Sequence, residues 1–157
     1  MKICDILSVK HIKAELESDS KDEIIGELVN LLSDEDSIKD LIEIKERVLE
    51  REEIMSTGVG KGFAIPHAKT SAVKGIIACF AKSKKELEFN SLDGEPVHLI
   101  FLLIGQDNLI GPHIKLLSRI SRMMNKDEFR EALLNANTPE KIYHTFEEEE
   151  KKYIELK

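Results

Sequence analysis

The 157-residue sequence lacks the features that mark several large classes of protein. No run of apolar residues is long enough to span a membrane, and the N-terminus, beginning Met1-Lys2-Ile3, has no long apolar segment of the kind found in signal peptides. Positive net charge is also lacking. The value is −7, which argues against non-specific nucleic-acid binding, because neutralising phosphates requires a basic surface. We therefore expect a cytoplasmic protein that neither inserts into a membrane nor binds nucleic acid.

Cysteine is scarce. Cys4 and Cys79 are the two cysteines of the chain, and they lie far apart, without the short spacing of metal sites. Cys79 lies within an apolar run, which predicts a reduced residue of the core. With 41% hydrophobic and 34% charged residues, the composition is typical of a globular protein, and the length predicts one domain over residues 1–157.

The apolar pattern predicts an α/β fold. A strand is expected where Ile12 to Leu16 alternates with charged residues, and a helix over 20–33 is expected behind the capping box that begins at Ser20. The other predicted elements are a helix over 38–52, strands over 75–81, 87–89 and 97–104, a helix opened by Pro112, and two shorter helices behind it. The order is strand, two helices, three strands and three helices, which favours a three-layer α/β/α sandwich with a small mixed sheet.

Two runs of charged residues are interpreted as exposed. Lys82 to Lys85 predicts a turn between two strands. The acidic run Glu147 to Glu150 is interpreted as the solvated end of the last helix.

The segment from Arg51 to Thr70 combines several features of a binding site. Its glycines at every second position allow backbone amides to approach a ligand closely, and Pro66 stiffens the chain just before His67. Because a short apolar run precedes this histidine, we expect it at the end of a strand, where functional residues collect. The hydroxyl and cationic side chains of the segment include Ser56, Thr57, Arg51, Lys61 and Lys69.

His67 allows two interpretations. Histidine has an unperturbed pKa of about 6.5, so its neutral ring can act as a nucleophile or base near neutral pH. Beside glycine amides, hydroxyls and the guanidinium of Arg51, such a ring suits phosphoryl chemistry, because amides and guanidinium match phosphate oxygens and imidazole can accept the phosphoryl group. A histidine after a strand is also commonly a plain structural residue, and the residues alone leave both interpretations open.

His113 lies in the first turn of the helix that Pro112 opens, on one face with Leu117, Ile120 and Met124. It therefore points toward the core beside a helix N-terminus. It is interpreted either as a core histidine bonded to a carbonyl or as a partner of His67 that donates a hydrogen bond to a phosphate. The remaining histidines are interpreted as structural or surface residues; they are His11, His98 and His144.

Other motif families are excluded by missing residues. Gly62 follows Lys61 where a P-loop requires serine or threonine, and no GxGxxG fingerprint with a following helix is present. Zinc binding by His67 and His113 has no HExxH or CxxC motif to support it. A serine hydrolase would need a GxSxG elbow, which is also missing.

Several motifs together give the chain a family resemblance. They are Arg51-Glu52, Ser56-Thr57-Gly58, Ala64-Ile65-Pro66-His67, the segment from Ser91 to Val97, and the helix start from His113 to Leu117. In these motifs the chain resembles the enzyme IIA component of the bacterial phosphoenolpyruvate:sugar phosphotransferase system, of the fructose, mannitol and nitrogen-regulatory class (type 2). The resemblance covers nearly the whole chain, and the sequence around residues 65–97 is most similar to the fructose-type branch.

The resemblance implies a phosphotransferase with a phosphohistidine intermediate. His67 would take a phosphoryl group from the phosphohistidine of HPr and pass it to a cysteine of an enzyme IIB. The enzyme IIB would phosphorylate a sugar, of the fructose type, during uptake through membrane-bound IIC. No cofactor, metal or bound nucleotide is implied. Arg51 would stabilise phosphate charge, His113 would lie close to the phosphorylated ring, and Thr57 would donate a hydrogen bond to the phosphate.

The alternative within the family is a nitrogen-branch regulatory phosphoprotein, whose phosphorylation state controls its binding to other proteins. Both branches use His67, so the motif does not separate them, although the fructose-like sequence favours transport. Because two protein partners must dock in turn, we expect a shallow site with an apolar rim. The residues predicted for the rim are Phe63, Ile65 and Leu109.

Overall fold

A six-stranded mixed sheet lies at the centre of the computed structural model, which describes residues 1–154. Its two long strands, β5 (Ile76–Leu87) and β6 (Val97–Gln106), pair in antiparallel orientation. The short strands are β1 (Ile12–Lys13), β2 (Gly58–Gly60), β3 (Phe63–Ala64) and β4 (His67–Thr70). β1 runs parallel to β5, β3 and β4 both run parallel to β6, and β2 runs antiparallel to β3.

Helices occupy much of the remaining chain. They are α1 (Ile3–Ile6), α2 (Lys21–Asn30), α3 (Leu41–Ile54), α4 (Ile110–Met124), α5 (Asp127–Asn135) and α6 (Pro139–Ile154), with a short 3₁₀ turn at Val9–His11. Ser20 caps α2 by accepting a hydrogen bond from the amide of Glu23, as the capping box predicted. Within residues 1–154, none of the helices combines the length and the apolar character needed to cross a membrane.

Alternate residues of β6 face two different apolar clusters. Ile100 and Leu102 belong to a cluster that includes side chains of α2 and α3. Leu99 and Phe101 belong to a second cluster, built with α1, α4, α5 and α6. Because successive side chains of a strand point to opposite faces, helices cover both faces of the sheet. The predicted three-layer α/β/α sandwich with a mixed sheet is therefore confirmed.

The predicted turn at Lys82 to Lys85 is wrong, because β5 continues through these residues to Leu87. Lys82 is buried, and its Nζ donates hydrogen bonds to the carbonyls of Leu133 and Leu134 at the end of α5. Carbonyls at the C-terminal end of a helix carry partial negative charge, so they can accept a buried ammonium. The sequence shows a run of cations, whereas the partner that permits their burial lies about fifty residues away along the chain.

The element order also differs between α3 and α4, where the structure has five strands and the sequence predicted three. The glycine segment forms β2, which pairs with β3. His67 begins β4, whereas the prediction placed it at the end of a strand. Pro66 has no amide hydrogen, so it separates β3 from β4 along the same edge of β6. The predicted strand over 12–16 is confined to β1, and Leu87 ends β5 without opening a strand of its own.

The acidic run at the end of α6 is only partly solvated, which corrects the interpretation of Glu147 to Glu150. Glu150 is 2% exposed and accepts hydrogen bonds from the amides of Ile3, at 2.6 Å, and Cys4, at 3.1 Å. It also forms an ion pair with Arg119 at 3.1 Å. This carboxylate therefore links α6 to α1 and accepts hydrogen bonds from the first two amides of α1, which have no partner within the helix.

Candidate functional site

A cleft of about 470 Å³ lies where the last turn of α3, the start of β4 and the first turn of α4 meet. The structure brings three of the predicted site residues together there: Arg51, His67 and His113. The other lining residues are Arg47, Glu50, Ile54, Ala68, Lys69, Ile114 and Leu117. Segments separated by more than sixty residues in sequence therefore contribute to one concave surface.

The parallel pairing of β4 with β6 positions both histidines. His67 pairs with Leu103, so it lies on the same edge of the sheet as Gly105, two residues farther along β6. The chain then turns into α4, whose first turn carries His113 back over the strand. A β-carbon built at position 105 would lie 2.5 Å from Nδ1 of His113, so the ring can reach this position only because residue 105 is glycine.

The ring of His67 is held in one tautomer. Its Nδ1 lies 2.8 Å from the backbone carbonyl of Ile65. A carbonyl oxygen only accepts hydrogen bonds, so Nδ1 carries the hydrogen and donates it, which leaves the lone pair on Nε2. The side chain is half-buried in the wall of the cleft. His67 therefore has the protonation pattern of a nitrogen nucleophile with a free Nε2.

The surroundings of His67 lower its pKa below the usual value. The main cause is burial, which disfavours the charged ring, although the hydrogen bond to Ile65 acts in the opposite direction. The positive charges of Arg51 and Lys69 lower the pKa further, and the carboxylate of Glu52 raises it. The ring is therefore neutral at pH 7, which is the state a nucleophile requires.

His113 is 2% exposed, and its ring centroid lies 5.9 Å from that of His67, with the two rings tilted by 54°. Burial, followed by the nearby charges of His67 and Lys69, lowers its pKa to about 4. Among the described residues neither ring nitrogen has a hydrogen-bond partner. A histidine with a purely structural role would be expected to form a hydrogen bond to a carbonyl. The two unpaired nitrogens of this neutral ring instead favour a role in binding a ligand.

Arg51 supplies a fixed positive charge at the rim of the cleft. One of its terminal nitrogens donates to the carbonyl of Met55 at 2.8 Å, which closes the C-terminal end of α3. Arg47, one helical turn earlier, is paired with Glu50 at 2.9 Å. Among the described residues, Arg51 and Lys69 are therefore the cations of the lining without a carboxylate partner, and they make the cleft attractive to an anion in a chain of net charge −7.

Thr57 is the predicted site residue that the structure does not place in the lining of the cleft. It is 6% exposed, and both its amide, at 3.1 Å, and its hydroxyl donate to the carboxylate of Glu52. Its role as a donor to phosphate stays a prediction. Glu52 entered the sequence analysis only as part of the Arg51-Glu52 motif and was given no role there, although it lies five residues before Thr57.

The apolar rim differs from its prediction. Phe63 and Ile65 are buried, at 1% and 6% exposure, so neither can contact a partner, and Leu109 is half-buried. The exposed apolar side chains of the lining are instead Ile54, which is 79% exposed, and Ile114, which is 57% exposed. They come from α3 and α4 and flank the two histidines.

A second group of possible ligand atoms lies away from the cleft. One atom each of His11, Asp34 and Glu35 lie within 4.8 Å of one another. The Glu35 carboxylate is already 2.7 Å from the ammonium of Lys10 and 3.0 Å from Nε2 of His11. Lys10 therefore supplies the positive charge that a metal ion would bring. We interpret the group as an ion pair that connects the 3₁₀ turn to the segment after α2.

Comparison with known proteins gives consistent results. The profile of the family described as "Phosphoenolpyruvate-dependent sugar phosphotransferase system, EIIA 2" matches residues 5–149. The chain is 36% identical over 151 residues to the PTS system fructose-specific EIIABC component of Bacillus subtilis (strain 168); this covers 96% of the chain but 24% of that relative, so the chain spans about a quarter of its length.

Two nitrogen regulatory proteins match over almost their whole length. The protein of that name from Bradyrhizobium diazoefficiens is 31% identical over 143 residues, which is 91% of this chain and 93% of the relative. The crystal structure of nitrogen regulatory protein IIA-Ntr from Neisseria meningitidis superposes with a TM-score of 0.86 and 31% identity, covering 92% of this chain and 98% of that one.

Proposed function

Because the chain belongs to the EIIA type 2 family of the phosphoenolpyruvate-dependent sugar phosphotransferase system, we propose that it is a phosphocarrier of that system. His67 accepts a phosphoryl group from phospho-HPr and passes it to a cysteine of an enzyme IIB, which serves sugar uptake of the fructose type through membrane-bound IIC. The observation that carries the proposal is the state of His67. Its Nδ1 hydrogen is bound to Ile65, so the lone pair of Nε2 is free, beside Arg51 and His113.

The proposed transfers need no proton to enter or leave His67. In the first, the lone pair of Nε2 attacks the phosphorus of the donor phosphohistidine, the donor N–P bond breaks, and its electron pair stays on the donor ring. The ring of His67, with hydrogen on Nδ1 and phosphorus on Nε2, gains a positive charge that the carbonyl of Ile65 stabilises. In the second, a cysteine thiolate attacks phosphorus and the Nε2–P bond breaks, which returns the neutral ring.

The phosphoryl group brings about two negative charges at pH 7, by analogy with other phosphorylated side chains. Arg51 and Lys69 offset this charge, and the unpaired nitrogens of His113 can donate one hydrogen bond. These groups are few, and Lys69 is exposed to solvent. The cleft therefore stabilises the phosphoryl group without holding it so tightly that the acceptor cannot remove it.

The open, apolar rim fits the need for two successive protein partners. Ile54 of α3 and Ile114 of α4 are exposed in the lining of the cleft, so a partner that brings its own histidine or cysteine to His67 must cover them. Burial of such side chains contributes about 25 cal/mol per Å² to docking. HPr and enzyme IIB would then share this surface in turn, so neither can remain bound.

A nitrogen-branch regulatory function is the second candidate, and one observation favours it. The nitrogen regulatory protein IIA-Ntr superposes on this chain with a TM-score of 0.86 at 31% identity, and a second nitrogen regulatory protein is also 31% identical. In that role the phosphoryl state of His67 would control binding to other proteins and would need no IIB acceptor. The higher identity to the fructose-specific relative, 36% against 31%, keeps uptake as the leading proposal.

The test is intact mass after incubation with enzyme I, HPr and phosphoenolpyruvate. We expect one acid-labile phosphoryl adduct that is lost in His67→Ala. His98→Ala is a matched control, because His98 is also half-buried and its Nδ1 also donates to a carbonyl, that of Ser83 at 3.0 Å. An unmodified wild-type protein, or an adduct that persists in His67→Ala, would contradict the proposal. Transfer of the group to a fructose-type IIB separates uptake from the regulatory role.

A further inference from the structure

A buried ion pair lies behind the cleft. Glu52 is 6% exposed, and its carboxylate is 2.6 Å from the ammonium of Lys21 at the start of α2. The same carboxylate accepts hydrogen bonds from the amide and hydroxyl of Thr57. Removing a carboxylate from water costs free energy unless its oxygens accept hydrogen bonds. The three donors around Glu52 offset this desolvation cost.

A short chain of bonds connects this carboxylate to the ring of His67. Thr57 stands at the start of the hairpin formed by β2 and β3, and its carbonyl accepts the amide hydrogen of Ile65 at 3.2 Å. The carbonyl of Ile65 in turn accepts the Nδ1 hydrogen of His67 at 2.8 Å. The position of Thr57 therefore affects the atom that selects the tautomer of His67.

Glu52 also belongs to the element that carries Arg51. The two residues are consecutive in the last turns of α3, so their side chains leave the helix about 100° apart. Arg51 points to the cleft, and Glu52 points to the hairpin. The bonds between Glu52 and Thr57 therefore join the helix that supplies the guanidinium to the hairpin that supplies the imidazole.

We propose that Glu52 and Thr57 are positioning residues, which fix the tautomer of His67 and its place relative to Arg51 through the Thr57–Ile65 link. This inference rests on the proposed phosphocarrier function for its kinetic part. Neither residue lines the cleft, so this role does not require either side chain to touch the phosphoryl group. Small displacements of reacting groups change rates strongly, because transfer requires aligned atoms at about 3 Å.

The hairpin has other anchors, so loss of the Thr57 hydroxyl need not unfold it. The hydroxyl of Ser56 donates to the carbonyl of Phe89 at 2.5 Å, and the amide of Leu92 donates to the carbonyl of Gly58 at 2.8 Å. These contacts hold the residues on either side of Thr57 and do not involve Ile65. A change at Thr57 should therefore alter alignment more than stability.

The experiment compares Glu52→Gln and Thr57→Val with the wild type, with Thr57→Ser as the conservative variant that keeps the hydroxyl. Glu150→Gln is the matched control, since Glu150 is a buried carboxylate that likewise accepts from three donors, two backbone amides and a cation, and does not line the cleft. Two readouts are taken for each variant: the tautomer of His67 from ring ¹⁵N chemical shifts, and the kinetics of phosphoryl acceptance from phospho-HPr. Thermal unfolding is recorded beside them.

For Glu52→Gln and Thr57→Val we expect a detectable population of the other His67 tautomer and a fall in kcat of about 10- to 100-fold, with KM for phospho-HPr unchanged. Thr57→Ser should restore both readouts, and Glu150→Gln should lose thermal stability without changing either. The proposal is overturned if tautomer and kcat stay at wild-type values in Thr57→Val, or if Glu150→Gln changes them as much. If the wild type itself accepts no phosphoryl group, the proposed function fails, and the tautomer readout still decides the positioning role.

Discussion

The ring of His113 lies against the backbone of Gly105, at a distance that leaves no room for a side chain. A β-carbon at position 105 would lie 2.5 Å from Nδ1 and 3.3 Å from Cε1 of the ring. Gly105 belongs to β6, the strand that pairs with β4. Because it has no β-carbon, the ring of His113 can lie over it, beside His67. The position of His113 in the site therefore depends on the residue at position 105 of β6, and adding one methyl group there tests this dependence.

Gly105→Ala should displace His113 from the cleft. We expect phosphoryl acceptance by His67 to slow about tenfold and the free energy of unfolding to fall by about 1–3 kcal/mol, because the ring must shift within a packed layer. Gly111→Ala is the control, in α4, the helix that carries His113. A β-carbon there meets no atom within 4 Å, and alanine favours the helix by up to about 1 kcal/mol. Equal kinetics in the two variants would show that the contact with Gly105 does not matter for transfer.

The pKa of His113 predicts how stability depends on pH. The folded protein holds this pKa near 4, chiefly through burial, whereas an unfolded chain has a value of about 6.5. A proton then binds the unfolded state more readily, so this contribution to stability is complete above pH 6.5 and is lost as pH falls toward 4. Between pH 7 and pH 5 the loss amounts to about 2 kcal/mol.

His113→Gln removes this titration. Chemical denaturation at pH 7 and pH 5 should therefore show that the wild type loses about 2 kcal/mol more than the variant over that interval. Between pH 8 and pH 7, where the unfolded state gains only a small fraction of a proton at this site and the folded state gains almost none, the two proteins should change nearly in parallel. A variant that loses as much stability as the wild type between pH 7 and pH 5 would show that His113 is not held neutral by the fold.

Much of the fold could be predicted because local signals agreed with tertiary structure. Ser20 and the apolar spacing behind it predicted α2, and the continuous apolar run ending near Ile104 predicted a strand buried on both faces, which is β6. The strand at Lys82 could not be predicted in this way, because its partners at Leu133 and Leu134 are distant in sequence. Burial of a charge depends on such partners, and periodicity contains no information about them.

For the site as well, the residues whose type indicates chemistry could be predicted, and those whose burial depends on distant partners could not. His67, His113 and Arg51 carry chemistry that the residue types themselves indicate, and the structure gathers them in one cleft. Glu52 was part of the Arg51-Glu52 motif but was given no role, because an acidic side chain on a helix is usually solvated, and only the donors from Lys21 and Thr57 make it a buried group. The rim was misplaced for a related reason, since apolar residues near a site are as often part of the core as part of its surface.

Lys69 should tune the reactive histidine without contacting it. Its charge is one of the causes that lower the pKa of His67, after burial and the charge of Arg51. Lys69→Gln should therefore raise the pKa of His67, and the acid limb of the rate of phosphoryl acceptance, which follows protonation of the neutral nucleophile, should move to higher pH. NMR titration of the His67 ring measures the shift directly. Lys74→Gln, at an exposed lysine that does not appear among these causes, should leave the titration unchanged, and a fall in the pKa of His67 on loss of Lys69 would contradict the assignment.

Ile54 offers a test of the docking surface, because α3 carries a second exposed isoleucine outside the cleft. Ile54 is 79% exposed and lines the cleft, while Ile42 is 74% exposed near the opposite end of the same helix. Ile54→Asp should raise KM for phospho-HPr about tenfold or more, because a carboxylate at the rim loses apolar contact and repels the arriving phosphoryl group. Chemistry on the bound complex should change less, since His67 and Arg51 keep their places. Ile42→Asp removes a similar exposed side chain from the same helix, so it should leave KM unchanged; if both substitutions raise KM equally, the effect comes from net charge and the rim is not where the partner docks.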